Sequence, residues 1–290
     1  MSANIYKQHI LQNEDKSLSS HVEDKLALSY GVDYDTFARL RTCGQNPLSA
    51  NINGVPVDPF LSTWFLRGEK QGGDLQRLLA NPSREEYYAG DSALGEKLCN
   101  NLVLLGLNAS CMVKMRPWHF FHKRMDKTGG PVADRSEVNL KEYIDKDKCA
   151  LPFEGAYITD ILKFQDRRNS LYIESYSEKV KPDKDALEHN FEVLKGELDL
   201  LHGMRADSKM LLVPLGGRCE SYLKKFIKWI SMEPRKRDGE WLVVPEEYML
   251  HYSPRSWIPK NFARCGRMKA WCDRLVDCHA SPFGEQVDGK

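Results

Sequence analysis

Short apolar runs without polar alternation constrain this chain more than any other feature. Gly155-Ala-Tyr-Ile-Thr-Asp-Ile-Leu-Lys-Phe164 leads apolar and β-favouring residues into one acid, Asp160, and then one cation, Lys163. Met210-Leu-Leu-Val-Pro-Leu215 is a second such run. A run of this kind has no solvated side, so it reads as a strand of a parallel sheet with helices over both faces. In open sheets of that class, ligands bind just beyond the carboxyl ends of the strands. Asp160 therefore occupies a position from which a ligand is read.

Helical periodicity separates these runs. Residues 183–202 space Leu187, Phe191, Leu194, Leu198 and Leu201 as one helix face. Gly216-Gly217 turns the second run into a helix over 219–230, and a last helix covers roughly 261–277. Residues 21–28 and 34–40 read as short amphipathic helices broken near Gly31, and 46–59 as a loop. Ser62-Thr-Trp-Phe-Leu-Arg67 reads as a strand that runs into Gly68-Glu-Lys-Gln-Gly-Gly73, a ligand-cradling arrangement. Asp91 reads as the cap of a helix with Leu94, Leu98, Leu102 and Leu105 on one side. Residues 109–115 and 241–250 read as further strands. The fold class expected is α/β, a three-layer α/β/α arrangement with a central, mostly parallel sheet. Residues 1–60 are expected as a helical N-terminal extension packed on the core. Residues 61–290 form the main domain, with a charged insertion at about 117–150.

At 290 residues, with 41% hydrophobic and 29% charged content, the chain has the make-up of a globular protein. A net charge of +1 does not announce a polyanion partner, which leaves only a local basic surface as a means of binding one. No apolar run is long enough to span a bilayer and no charged-then-apolar leader opens the chain, so a cytoplasmic, non-membrane protein is expected. The eight cysteines include no C-x-x-C pair, and Cys265, Cys272, Cys278 and His279 match no zinc spacing. Reduced packing thiols and no bound metal are the expectation.

Taken in order, the strand ends resemble the uracil-DNA glycosylase superfamily, above all its bacterial and archaeal branches. That family closes a first strand with G-E-x-P-G, follows it with P-F-x-G, and later carries Y-I-T-N, an L-G strand end and H-P-S-P. The counterparts are Gly68-Glu-Lys-Gln-Gly72, Tyr87-Tyr-Ala-Gly90, Tyr157-Ile-Thr-Asp160, Leu215-Gly216 and His251-Tyr-Ser-Pro254. Three departures stand out. Gln71 and Tyr252 replace motif prolines. Lys70 stands where several branches place an Asp or Asn that handles the attacking water. Phe164 follows Lys163 where the iron–sulfur branches have Cys, so no cluster and no cofactor are expected.

The resemblance implies a DNA partner, a monomer, and cleavage of an N-glycosidic bond after the base leaves the stack. Tyr88 is then the platform on which the base stacks. His251 donates a hydrogen bond to the base as negative charge develops there. Glu69 orients water or stabilises an oxocarbenium-like sugar, while Lys70 admits an amine that attacks the sugar. Gly68, Gln71 and Gly72 shape the cradle, Lys163 after the base-reading strand binds substrate with them, and Ser253 and Arg255 enter the minor groove. The cations Lys224, Lys225, Lys228, Arg235, Lys236 and Arg237 form a run that reads in good part as a solvated face.

Asp160 is the informative departure, because the family has Asn there. An ionised carboxylate only accepts hydrogen bonds, whereas an amide also donates. Against uracil O4 it sets acceptor against acceptor, but from the N4 amine of cytosine it accepts a bond. The expected substrate is a modified cytosine, such as the glucosylated hydroxymethylcytosine of phage DNA, with the insertion around the 5-substituent. The alternatives are a general uracil-DNA glycosylase, or a catalytically inactive nucleic-acid-binding member of the same fold.

Overall fold

The computed structural model describes residues 26–43, 63–64, 82–89, 94–107, 124–125, 131–132, 149, 151–162, 184–205, 208–232, 241–245, 248–249 and 260–277. Their centre is a parallel sheet of four strands, β3 (Leu102–Gly106), β6 (Tyr157–Asp160), β7 (Met210–Pro214) and β8 (Leu242–Val243). An antiparallel strand, β2 (Thr63–Trp64), completes the order β2-β6-β3-β7-β8. The chain is thus an α/β protein built on a mostly parallel sheet, as the apolar runs require.

Alternation along the strands divides the core in two. Leu102, Leu104, Ile158, Leu211 and Val213 face the helix α5 (Lys260–Leu275), which contributes Cys265, Met268, Trp271 and Cys272. Val103, Leu105, Tyr157, Met210 and Leu212 face α3 (Lys184–His202), α4 (Gly217–Ile230) and α1 (Tyr34–Cys43). In α3, Phe191, Leu194, Leu198 and Leu201 are buried, following the expected stripe. The same stripe also carries Glu197, 0% exposed, whose Oε2 accepts a 2.9 Å bond from the Thr159 hydroxyl of β6. Without a partner a carboxyl in that layer would be costly.

The helix expected to start at Asp91 is not formed. Leu94–Lys97 makes one 3-10 turn, and Leu102–Gly106 is the central strand β3. Leu94, Leu98, Leu102 and Leu105 do share a helical spacing, yet Leu102 and Leu105 face opposite sides of the sheet. Leucine favours helices in isolation, but pairing with β6 and β7 on both sides overrides the propensity.

The N-terminal region also departs from expectation. Leu26–Ala27, read as helical, forms β1 and pairs in parallel with β9 (Val276–Asp277). The final helix accordingly stops at Leu275. Helix α1 starts on Asp33, which accepts bonds from the Thr36 amide and hydroxyl at 2.8 and 2.9 Å. A short α2 (Arg84–Tyr88) carries a capping box in which Ser83 and Glu86 exchange bonds. Aromatic contacts run from α2 to the sheet through Tyr87, Phe37, Trp64 and Tyr157, with successive ring centres 4.8–5.4 Å apart. Within the insertion, β4 (Arg124–Met125) and β5 (Pro131–Val132) pair with each other in antiparallel.

Gly155 brings the chain into β6 at φ 75°, where any Cβ would strike the Lys97 carbonyl oxygen. Gly155→Ala should lower the unfolding free energy by about 1–3 kcal/mol, seen as an earlier urea midpoint. Gly31→Ala also sits at positive φ but has no atom within 4 Å of a built Cβ, so it should cost less.

Candidate functional site

The connection leaving β3 runs to β6 on one side, whereas the connection leaving β7 runs to β8 on the other. Such a reversal opens a crevice at the carboxyl ends of the two neighbouring strands. Three strand ends and one further segment meet at this edge. β3 ends at Gly106, which is in register with Asp160 of β6. The Ile161 and Leu162 amides continue the pairing onto Gly106 and Leu107, at 3.0 and 2.9 Å. Leu215 extends β7, and Met249 lies parallel beside it, its carbonyl accepting a 2.6 Å bond from the Gly216 amide. Gly216, at φ 100°, then turns the chain into α4. The amino-terminal turn of that helix, with its partial positive charge, opens at the crevice.

Asp160 is 6% exposed. By alternation it follows Ala156 and Ile158 rather than Tyr157 and Thr159. Standing last in its strand, it reaches the thiol of Cys219 electrostatically across the edge of the sheet. Cys219, in the first turn of α4, donates to the Leu105 carbonyl at 3.0 Å. Burial pushes its ionisation well upward; a bond with the Leu215 backbone works against this, and the Asp160 and Glu220 charges add to it. A thiol so held is no nucleophile. The chemistry open to this edge is acid–base and electrostatic, through Asp160 and through whatever the adjoining loops contribute.

Tyr88 lies at the end of α2 and is 49% exposed. Its hydroxyl accepts a 3.0 Å bond from the Tyr34 amide and its ring stands edge-on to Tyr87. It is a solvent-facing aromatic on a braced helix, joined to α1 by that bond and to the row of rings below it by Tyr87. Gly68, Glu69, Lys70, Gln71, Gly72, Lys163, His251, Ser253 and Arg255 lie outside the described residues.

The strands from which those residues depart are described, and their directions differ. Trp64 pairs with Tyr157 and Thr63 with Ile158, so β2 runs opposite to β6 and heads away from the Asp160 edge. Met249, in contrast, runs parallel to β7 at that edge, two residues before His251 in the chain. Sequence reasoning missed Gly106 and Leu107, the residues that adjoin Asp160. The signal was present: Leu-Val-Leu-Leu is a run without polar alternation, and Gly106 punctuates its end.

Among the described residues no three His, Cys, Asp or Glu side chains gather as a metal site, and no helix is long and apolar enough to cross a membrane.

Cys99, beneath the sheet's amino edge, is pushed by burial from 9.0 up to about 12, against backbone bonds with Asn101, Leu102 and Ser29. A thiol kept protonated by the fold contributes stability that is whole below its unfolded pKa. That contribution is lost as pH rises through the folded one. Stability should therefore fall above about pH 9, by about 1.4 kcal/mol per pH unit for each such thiol. Urea titrations at stepped alkaline pH should show a shallower fall in Cys99→Ala.

The chain matches no family model, no curated protein and no solved structure.

Proposed function

We propose that this protein is a DNA glycosylase that flips a modified cytosine from DNA and hydrolyses its N-glycosidic bond, leaving an abasic site. The observation that carries the reading is Asp160, a buried acid closing a parallel strand beside the switch-point crevice. An acid at that place accepts from an exocyclic amine and rejects a carbonyl, which favours cytosine over uracil. Excision of unmodified cytosine would destroy the host genome, so a 5-substituent must be read as well. The insertion at about 117–150 is the segment assigned to it. Glucosylated hydroxymethylcytosine fits, and the biological role is defence against phage carrying that base.

In this scheme the extruded base presents its N4 amine to Asp160. His251 stabilises the negative charge that develops on the departing base, an oxyanion-type interaction. Water adds at the sugar carbon as the bond to the base nitrogen breaks, and its proton passes to the departing base.

Strand direction supports a second candidate, outside the described residues, for handling the water. The family resemblance puts an Asp or Asn third in the motif after the first strand. The first parallel strand of the sheet ends at Gly106, and Asn108 is third in Gly106-Leu-Asn108. We therefore place Asn108 ahead of Glu69 in this role.

Duplexes carrying uracil, cytosine, hydroxymethylcytosine or its glucosylated form, followed by alkali, test the scheme. Strand breaks should appear in the glucosylated duplex, and Asp160→Asn should move preference toward uracil. Breaks confined to the uracil duplex would sink the cytosine reading, and intact DNA throughout would sink the enzyme. Asn108→Ala should lower the rate by about 10²-fold or more, and Glu69→Ala by less.

A further inference from the structure

The helices α3 and α4 lie side by side over one face of the sheet, with Phe191 of α3 against Phe226 and Trp229 of α4 at 5.5 and 5.7 Å. Their charges are opposed. Helix α3 carries five carboxylates and two lysines, and only Glu197 of the five acids is buried. Helix α4 carries Arg218, Lys224, Lys225 and Lys228 against one acid, Glu220. All four cations are exposed, while Cys219, Leu223, Phe226, Trp229 and Ile230 face the core. A chain with a net charge of +1 thus concentrates its positive charge locally and sets a negative face beside it.

The four cations have different surroundings. Lys224 meets Glu220 at 2.6 Å, so its charge is partly offset. Lys225 stands over the Tyr222 ring of the same helix at 4.4 Å, a cation–π contact that leaves its charge without an acid partner in that contact. Arg218, Lys225 and Lys228 recur at a spacing of seven and three and form one stripe, with the small Ser221 between them. From Arg218 to Lys228 the helix rises about 15 Å. Phosphates succeed one another by about 3.4 Å along the axis on one DNA strand, so the stripe spans about four of them.

We propose that the outer face of α4 is a phosphate-backbone contact surface for duplex DNA, with the acidic face of α3 limiting how far the duplex spreads. The surface rests on the reading of DNA as the partner and names where the backbone lies. An anionic membrane is the weaker occupant. Basic helices that lie on lipid insert an apolar face, and the apolar face of α4 is spent on the core. Of the large apolar side chains near it among the described residues, Met232 alone is exposed, one residue beyond the C-cap.

Binding of an unmodified duplex, followed by fluorescence anisotropy across a salt series, tests the surface without any base excision. A failed glycosylase assay therefore leaves this test intact. Lys225→Gln/Lys228→Gln should weaken binding about tenfold near 0.1 M salt and reduce the slope of log affinity against log salt by about 1.8. Lys225→Arg/Lys228→Arg should restore both, and Lys184→Gln on α3 should change neither. A slope unchanged in the double Gln variant, with its melting temperature preserved, overturns the proposal. So does a slope lowered only by Arg267→Gln/Arg274→Gln on α5. Loss of binding to phosphatidylserine vesicles with duplex binding intact assigns the face to a membrane and overturns it as well.

Discussion

Every layer of this protein depends on satisfying the backbone of one strand. β3 is covered on both faces and paired on both edges, so none of its amides or carbonyls can turn to water. Only neighbouring strands can take those bonds, which forces β6 and β7 to flank it in register. Asn101, immediately before the strand, closes the amino edge in the same manner. Its amide nitrogen donates to the Ala27 and Lys209 carbonyls, and its oxygen accepts from the Ser29 amide and the Cys99 thiol. All four of its bonding positions are used, and they tie three separate parts of the chain together.

The candidate site follows from this arrangement rather than from any single motif. With β3 in the middle, the chain leaves it to one side and later leaves β7 to the other, and a crevice results between them. Asp160 borders that crevice because its strand pairs with β3 to the last residue. The neighbouring Cys219 is kept neutral by burial and by the charges of Asp160 and Glu220, close to the amino terminus of α4. Outside the crevice, α3 and α4 present opposite charge to solvent. The overall balance of the chain hides this, since it averages over both helices.

Much of the scaffold was legible in the residues. The long helices carry apolar stripes that match their buried faces to within a residue or two, and the runs at 157–160 and 210–214 could only be strands. β3 was not legible, for a particular reason. Leu94, Leu98, Leu102 and Leu105 satisfy helical spacing, and nothing local reveals that a strand waits on each side. The two-residue strands β1 and β9 were hidden more deeply still. Their pairing joins residues about 250 positions apart, and such short segments have no periodicity of their own. For Asp160, the place at the end of a buried strand was readable; for Tyr88 only the residue type was.

By itself, the sequence determined the class of fold and the acid that closes the strand at 157–160. Uninterrupted apolar runs admit no other burial, and a carboxylate in place of an amide changes what can be bonded. Strand direction was decided only by tertiary structure. Whether a strand runs with or against its neighbour depends on pairing between distant segments, and side-chain period is the same either way. That choice sends β2 away from the Asp160 edge and brings Gly106 to it, and so decides which segments of the chain are able to share a site.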